Sequence, residues 1–162
     1  MAQVEHHVSP YAGSWYPGEA AELEQLIARL FAASEQRTGS FIAPAPLGFV
    51  VPHAGLQYSG TVAAAAWRHI RAAGPERVVI IGFSHRGGPR GCWLPDASGY
   101  RTPIGDIAID RESVERLAGT GAFSITQEAA LCDHSVEIQL PFLAYAAPRA
   151  KCSTKPSTAS SP

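Results

Sequence analysis

The run Val78-Val79-Ile80-Ile81, closed by Gly82, constrains this chain more than any other segment. β-Branched side chains lose rotamer freedom in a helix and fit a pleated surface, so the run favours extended backbone. Successive side chains of a strand point to opposite faces. An apolar run without polar alternation therefore predicts a strand, Arg77 to Gly82, covered on both sides, as in a parallel sheet between layers of helix. Leu47-Gly48-Phe49-Val50-Val51 predicts a first strand of the same kind. Between the two, Ser59 can cap a helix from Thr61 to Ala73, whose alanines at 63 to 66 permit close approach to a sheet, and Gly74-Pro75 forms its stop. Strand, helix and strand make a right-handed βαβ unit. The expected fold class is α/β, an open and mostly parallel sheet flanked by helices.

The flanking segments agree with that class. Leu23, Leu26, Ile27, Leu30 and Phe31 recur at helical spacing within Glu19 to Ala33, with Glu19, Glu22 and Glu24 at the amino end, where the helix dipole favours negative charge. Ser34 to Pro46 predicts a connecting loop. Cys92 to Ala97, Tyr100 to Ile104 and Asp106 to Asp110 predict short strands or turns, and Asp110 caps a helix from Arg111 towards Ala118 that Gly119 ends. At 162 residues, 46% hydrophobic and 17% charged, the chain supports one core that buries roughly 70% of the unfolded surface. A net charge of -1 and the lack of a basic stripe exclude nucleic acid as the expected partner. Met1 to His7 has neither the positive start nor the apolar centre of a signal peptide, and no apolar run reaches membrane-spanning length; the expectation is a cytoplasmic protein with no membrane partner. Cys92, Cys132 and Cys152 contain no C-x-x-C pair, which argues against a disulfide framework or a structural zinc knuckle.

The chemistry gathers where the predicted strands end. His53 follows the first strand and His85 the second, and the crossover between neighbouring parallel strands brings both imidazoles to the carboxyl edge, where open sheets bind ligands. Two imidazoles with a further oxygen or sulfur ligand suit iron, zinc or copper, and an open position admits dioxygen or water. A third string runs from Cys132-Asp133-His134 through Ser135-Val136-Glu137 to Pro141. A helix opening there places His134 and Glu137 on one face, either as a base oriented by an acid or as a ligand with its supporting carboxylate. Asp133 and Glu137 serve equally well as residues that stabilise a helix amino terminus. His6, His7 and His69 read as solvated or structural. Arg86 and Arg90 lie in a glycine-rich loop, suited either to an anionic group or to solvent, and that loop matches no nucleotide-binding pattern.

Ala12-Gly13-Ser14-Trp15-Tyr16, Pro52-His53-Ala54-Gly55, Gly82-x-Ser84-His85, Tyr100-Arg101-Thr102-Pro103 and Asp133-His134-Ser135-x-Glu137-x-Gln139-Leu140-Pro141 resemble, in that order, the MEMO family. Its bacterial members are also called AmmeMemoRadiSam system protein B, which implies a radical SAM protein as a partner. The resemblance implies a fold similar to the LigB-type class III extradiol dioxygenases, which open catechol-like rings with non-haem iron. It makes His53 and His85 metal ligands and sets Trp15 and His134 on the border of the same cleft. The family's third ligand is a cysteine near its carboxyl terminus, with no counterpart in this chain. The likeness runs from Tyr11 to Ala147. Residues 1–147 are accordingly expected to form the amino-terminal portion of a MEMO-like α/β domain, and 148–162 a disordered, unrelated tail rich in Ser, Thr, Pro and Lys. Because the family domain is longer, the reading is of a carboxyl-terminally truncated chain that exposes a sheet edge and apolar faces.

Taken together, the residues and the resemblance predict a MEMO-type metal-binding protein, a non-haem iron redox enzyme with copper or zinc as alternatives. His53 and His85 hold the metal, His134 acts as acid/base, Glu137 orients His134, and Trp15 contacts a small-molecule or peptide ligand. The competing readings are a non-catalytic peptide- or protein-binding module and an inactive fragment.

Overall fold

The computed structural model describes residues 6–38, 46–85, 91–127 and 133–156, with side chains as far as residue 152. Its elements, in chain order, begin with β1 (His7–Val8), α1 (Ala20–Thr38), α2 (Leu56–Ala73), β2 (Arg77–Gly82), β3 (Cys92–Pro95) and β4 (Gly99–Thr102). They continue with β5 (Gly105–Ala108), α3 (Arg111–Ala118), β6 (Phe123–Thr126), α4 (His134–Glu137), α5 (Leu140–Ala146) and β7 (Lys151–Pro156). The fold is α/β, as expected. No described helix is long and apolar enough to cross a membrane.

Local signals account for most helix ends. α1 buries Leu23, Ile27, Leu30, Phe31 and Ser34 along one stripe. It continues to Thr38, past its expected end, and Ser34 and Thr38 turn their hydroxyls back onto the carbonyls of Phe31 and Ser34, both at 2.8 Å. α2 starts at Leu56, earlier than expected: Ser59 sits inside its first turn and donates to the Ala54 carbonyl at 2.8 Å instead of capping. Its stop is as expected, with Gly74 left-handed at φ 58° and its N–H donating to the Ile70 carbonyl. α3 runs between the predicted residues, and Asp110 accepts from the Ser113 N–H.

Among the described residues the strands form three small sheets rather than one. β1, β4 and β5 make one, in which only the β4–β5 pair is antiparallel; β2 pairs with β7, and β3 with β6, both in parallel. Two expectations fail here for a common reason. Residues 47–51 form no strand, and Leu47 and Val50 are fully exposed. The βαβ unit therefore lacks its first strand. Conversely, Lys151–Pro156, part of the segment predicted to be a disordered tail, pairs with β2 from Arg77↔Lys151 to Gly82↔Pro156. A strand needs a neighbour for its N–H and C=O groups, and that neighbour outranks side-chain preference. β2 is also not covered on both faces. α4 packs so closely on one side that a Cβ at Gly82 would lie 2.4 Å from Ser135 Oγ and 2.6 Å from Val136 Cγ2, while Val79 and Ile81 on the other remain 57% and 62% exposed.

The core is centred on α5, a helix buried on nearly every side by Leu140, Pro141, Phe142, Leu143, Ala144 and Ala146. Each large side chain buried there contributes about 1.5–3 kcal/mol. Trp67 of α2 stacks on Phe142 with ring centroids 6.2 Å apart, and its indole N–H donates to Gln139 at 2.9 Å. Gln139 in turn donates to the Pro52 carbonyl at 3.1 Å. That bond ties the core to the segment carrying His53.

Candidate metal centre

Three imidazoles converge above β2. Ring centroids lie 5.3 Å apart for His53 and His85, 5.6 Å for His53 and His134, and 3.9 Å for His85 and His134, and one ligand nitrogen from each falls within 4.8 Å of the others. The expected βαβ crossover does not bring them together. His53 is held by the Gln139 bond to Pro52, while His85 and His134 meet because α4 is bonded to the end of β2. Ser135 Oγ donates to the Phe83 carbonyl at 2.8 Å and accepts from the Phe83 N–H at 3.1 Å. Gly82 leaves the space that this contact needs.

Asp133 organises the cluster. One of its oxygens accepts from the His85 backbone N–H at 2.8 Å; the other lies 2.9 Å from His85 Nδ1 and accepts from the Ser135 N–H, also at 2.9 Å. A proton held on Nδ1 leaves the Nε2 lone pair for a ligand, the usual way a carboxylate orients a metal-binding histidine. Burial pushes the Asp133 carboxyl up, but the N–H groups of His85 and Ser135 and then the His85 ring outweigh it, and the result is a value of about 2. The acid stays ionised, as an orienting group must.

The residues present fit a divalent metal. The donors are neutral-type imidazole nitrogens from three separate segments, one already backed by a carboxylate, and such a set suits iron, zinc or copper. His134, expected either as an acid/base group or as a ligand, brings a third nitrogen to the cluster. Cys152 cannot take that place. It is fully buried on β7 opposite Val78, and burial pushes its thiol up to about 12; His85 lies seven residues further on, on the order of 20 Å of extended chain.

Trp15 lies against His134 with centroids 4.5 Å apart, and Tyr11 at 6.1 Å. Beside the imidazoles opens a cleft of about 730 Å³ whose walls include Trp15, Val50, Pro52, His53, Tyr58 and His134. The structure thus unites His53, His85, His134 and Trp15. Glu137, expected to orient His134, is fully buried, and its Oε1 lies 2.9 Å from Nε2 of His7. His7, expected to be solvated or structural, is part of that buried pair. Asp133 and Gln139 were missed as positioning groups; the adjacency of Asp133 to His134 was the only local signal for the first, and nothing local marks the second. Cys132, Arg86 and Arg90 lie outside the described residues.

The profile of the family described as Memo-like protein matches residues 8–154. The chain belongs to the MEMO family. It is 35% identical over 135 residues to the protein memo-1 homolog of Caenorhabditis elegans, covering 83% of this chain and 37% of that protein. The MEMO1 family protein of Ignicoccus hospitalis is 39% identical over 142 residues and that of Methanobrevibacter smithii 35% over 145, each alignment covering 83% of this chain and 50% of the relative. This MEMO chain spans half or less of the length of those relatives. The match to residue 154 also takes the family likeness through Cys152 and into β7, beyond the expected limit at Ala147.

Proposed function

We propose that this MEMO chain carries the histidine cluster of a non-haem metal protein, with iron as the metal and a redox reaction on a small organic ligand as the activity. The observation that carries the reading is the convergence of His53, His85 and His134 with Asp133 fixed to the His85 ring. Iron bound there would supply dioxygen chemistry of the kind LigB-type enzymes perform. The chain's own part is to keep the His85 proton on Nδ1 through Asp133, to present three nitrogens at a wall of the cleft, and to shield that wall with the Trp15 indole.

Metal analysis of the wild type and of a His53→Ala/His85→Ala double variant tests the proposal. The wild type is expected to retain iron and the double variant to lose it; equal content in both would count against the reading. His134→Ala separates two roles. Loss of metal makes His134 a ligand, whereas full metal with lost turnover makes it an acid/base group.

A second reading is favoured by the cleft itself. Val50 and Tyr58 present exposed apolar surface beside Trp15, and that surface suits a peptide side chain as well as a small ring. Binding of a peptide that persists in chelator would support a recognition module over an oxygenase.

A further inference from the structure

We propose that His7 and Glu137 form a positioning pair that clamps residues 7–16 onto α4 and thereby sets the pose of His134 in the metal cluster. The proposal rests on the metal reading above.

α4 spans only four residues, with His134 first and Glu137 last. A single turn has no stability of its own, so its orientation is decided by what holds its ends. Asp133 and Ser135 fix the first end to the exit of β2. At the other end Glu137 is fully buried, and neither carboxylate oxygen accepts a hydrogen bond among the described residues. A carboxylate removed from water in this way needs a counter-charge. His7 Nε2, 2.9 Å from Oε1, is the group placed to supply it when protonated, from the far end of the sequence.

His7 is itself held. β1 pairs in parallel with β4, placing His7 opposite Tyr100, whose ring it meets edge-on at 5.9 Å. From there the chain is drawn tight towards the cluster. Ser9 Oγ accepts from the Tyr16 hydroxyl at 2.6 Å and from the Tyr11 N–H at 3.3 Å, and Gly13, at φ 81°, closes a turn by donating to the Tyr16 carbonyl at 2.8 Å. This strap sets Tyr11 and Trp15 against His134, and the Trp15 carbonyl accepts from the Leu56 N–H at 3.2 Å, where α2 begins just after His53. One continuous segment thus grips both the last residue of α4 and the ring of its first. Buried ion pairs often add little net stability compared with apolar packing, and fixing a geometry is their best-attested use.

The test compares the full chain with Glu137→Gln, His7→Gln, His7→Arg and a control, His6→Ala, whose side chain faces Asp106 instead. Three readouts are taken: Zn²⁺ affinity by chelator competition, the visible spectrum of the Co²⁺ form, and the urea midpoint. Glu137→Gln and His7→Gln are expected to weaken Zn²⁺ binding about tenfold and to shift the Co²⁺ bands, as loss of an outer support does. His7→Arg, which keeps a cationic donor opposite the carboxylate, is expected to restore both, and His6→Ala to change neither. His7 is 29% exposed, so its variants carry the test even where Glu137→Gln does not fold. Lower urea midpoints with wild-type affinity and spectrum would make the pair merely structural and overturn the proposal. Equal metal in the wild type and the His53→Ala/His85→Ala variant would instead overturn the metal reading, and this proposal with it.

Discussion

Asp133 spends its two oxygens on three donors, the N–H groups of His85 and Ser135 and the His85 ring, and so cannot be replaced by an amide without loss. Asp133→Asn keeps the size but removes the charge that holds the Nδ1 proton. Metal affinity is expected to fall about 10–100-fold, measured by chelator competition. Asp110 shows a different use of a buried carboxylate. The Ser113 hydroxyl at 2.8 Å, the Ser113 N–H and Arg77 together hold its carboxyl at about 2, below the ordinary 3.8. A carboxyl with a lowered folded value stabilises the fold fully above the unfolded value and loses that contribution as pH falls towards the folded one. The gap in urea midpoint between the wild type and Asp110→Asn should therefore be constant above about pH 5 and shrink between about 4 and 2. A gap independent of pH would refute the assignment. The residues that carry chemistry were readable where the signal is local: His53, His85, His134 and Trp15 lie in short strings of distinctive composition. The partners of Asp133 and Glu137 were not, because His85 and His7 reach them only through the fold.

Among the elements, Gly82 is where β2 and α4 touch. A methyl there meets Ser135 Oγ at 2.4 Å and Val136 Cγ2 at 2.6 Å, and Ser135 is itself bonded to Phe83 and has little freedom to retreat. Gly82→Ala is expected to cost about 1–3 kcal/mol in denaturant unfolding and to weaken metal binding at the same time, since α4 carries His134. An unchanged midpoint would show that α4 yields more easily than its bonds suggest. α3 was readable to the residue because its cap, its stripe and its Gly119 stop are all local. Residues 47–51 and 151–156 were misread in opposite directions. The first has the side chains of a strand and no neighbour; the second has the composition of a loop and finds β2 beside it.

At the scale of the whole molecule, the outer face of β2 is poorly protected among the described residues. Val79, Ile81 and Phe83 are exposed on alternate positions, and Leu47 and Val50 add further uncovered apolar surface. Exposed apolar area of this kind promotes self-association. Val79→Lys/Ile81→Lys is expected to reduce light scattering and dye binding at high concentration while moving stability by no more than about 0.5 kcal/mol, because neither side chain is packed. A large loss of stability would mean that this face is covered in solution. The order of the five motifs, the α/β class and the identity of the candidate ligands follow from the residues alone, because spacing, caps and strand-forming runs are properties of neighbours in sequence. Only the tertiary structure decides that β2 pairs with β7, that His134 joins His53 and His85, and that Glu137 faces His7. Those outcomes depend on which distant backbone and side-chain groups are left to satisfy one another once the core around α5 has closed.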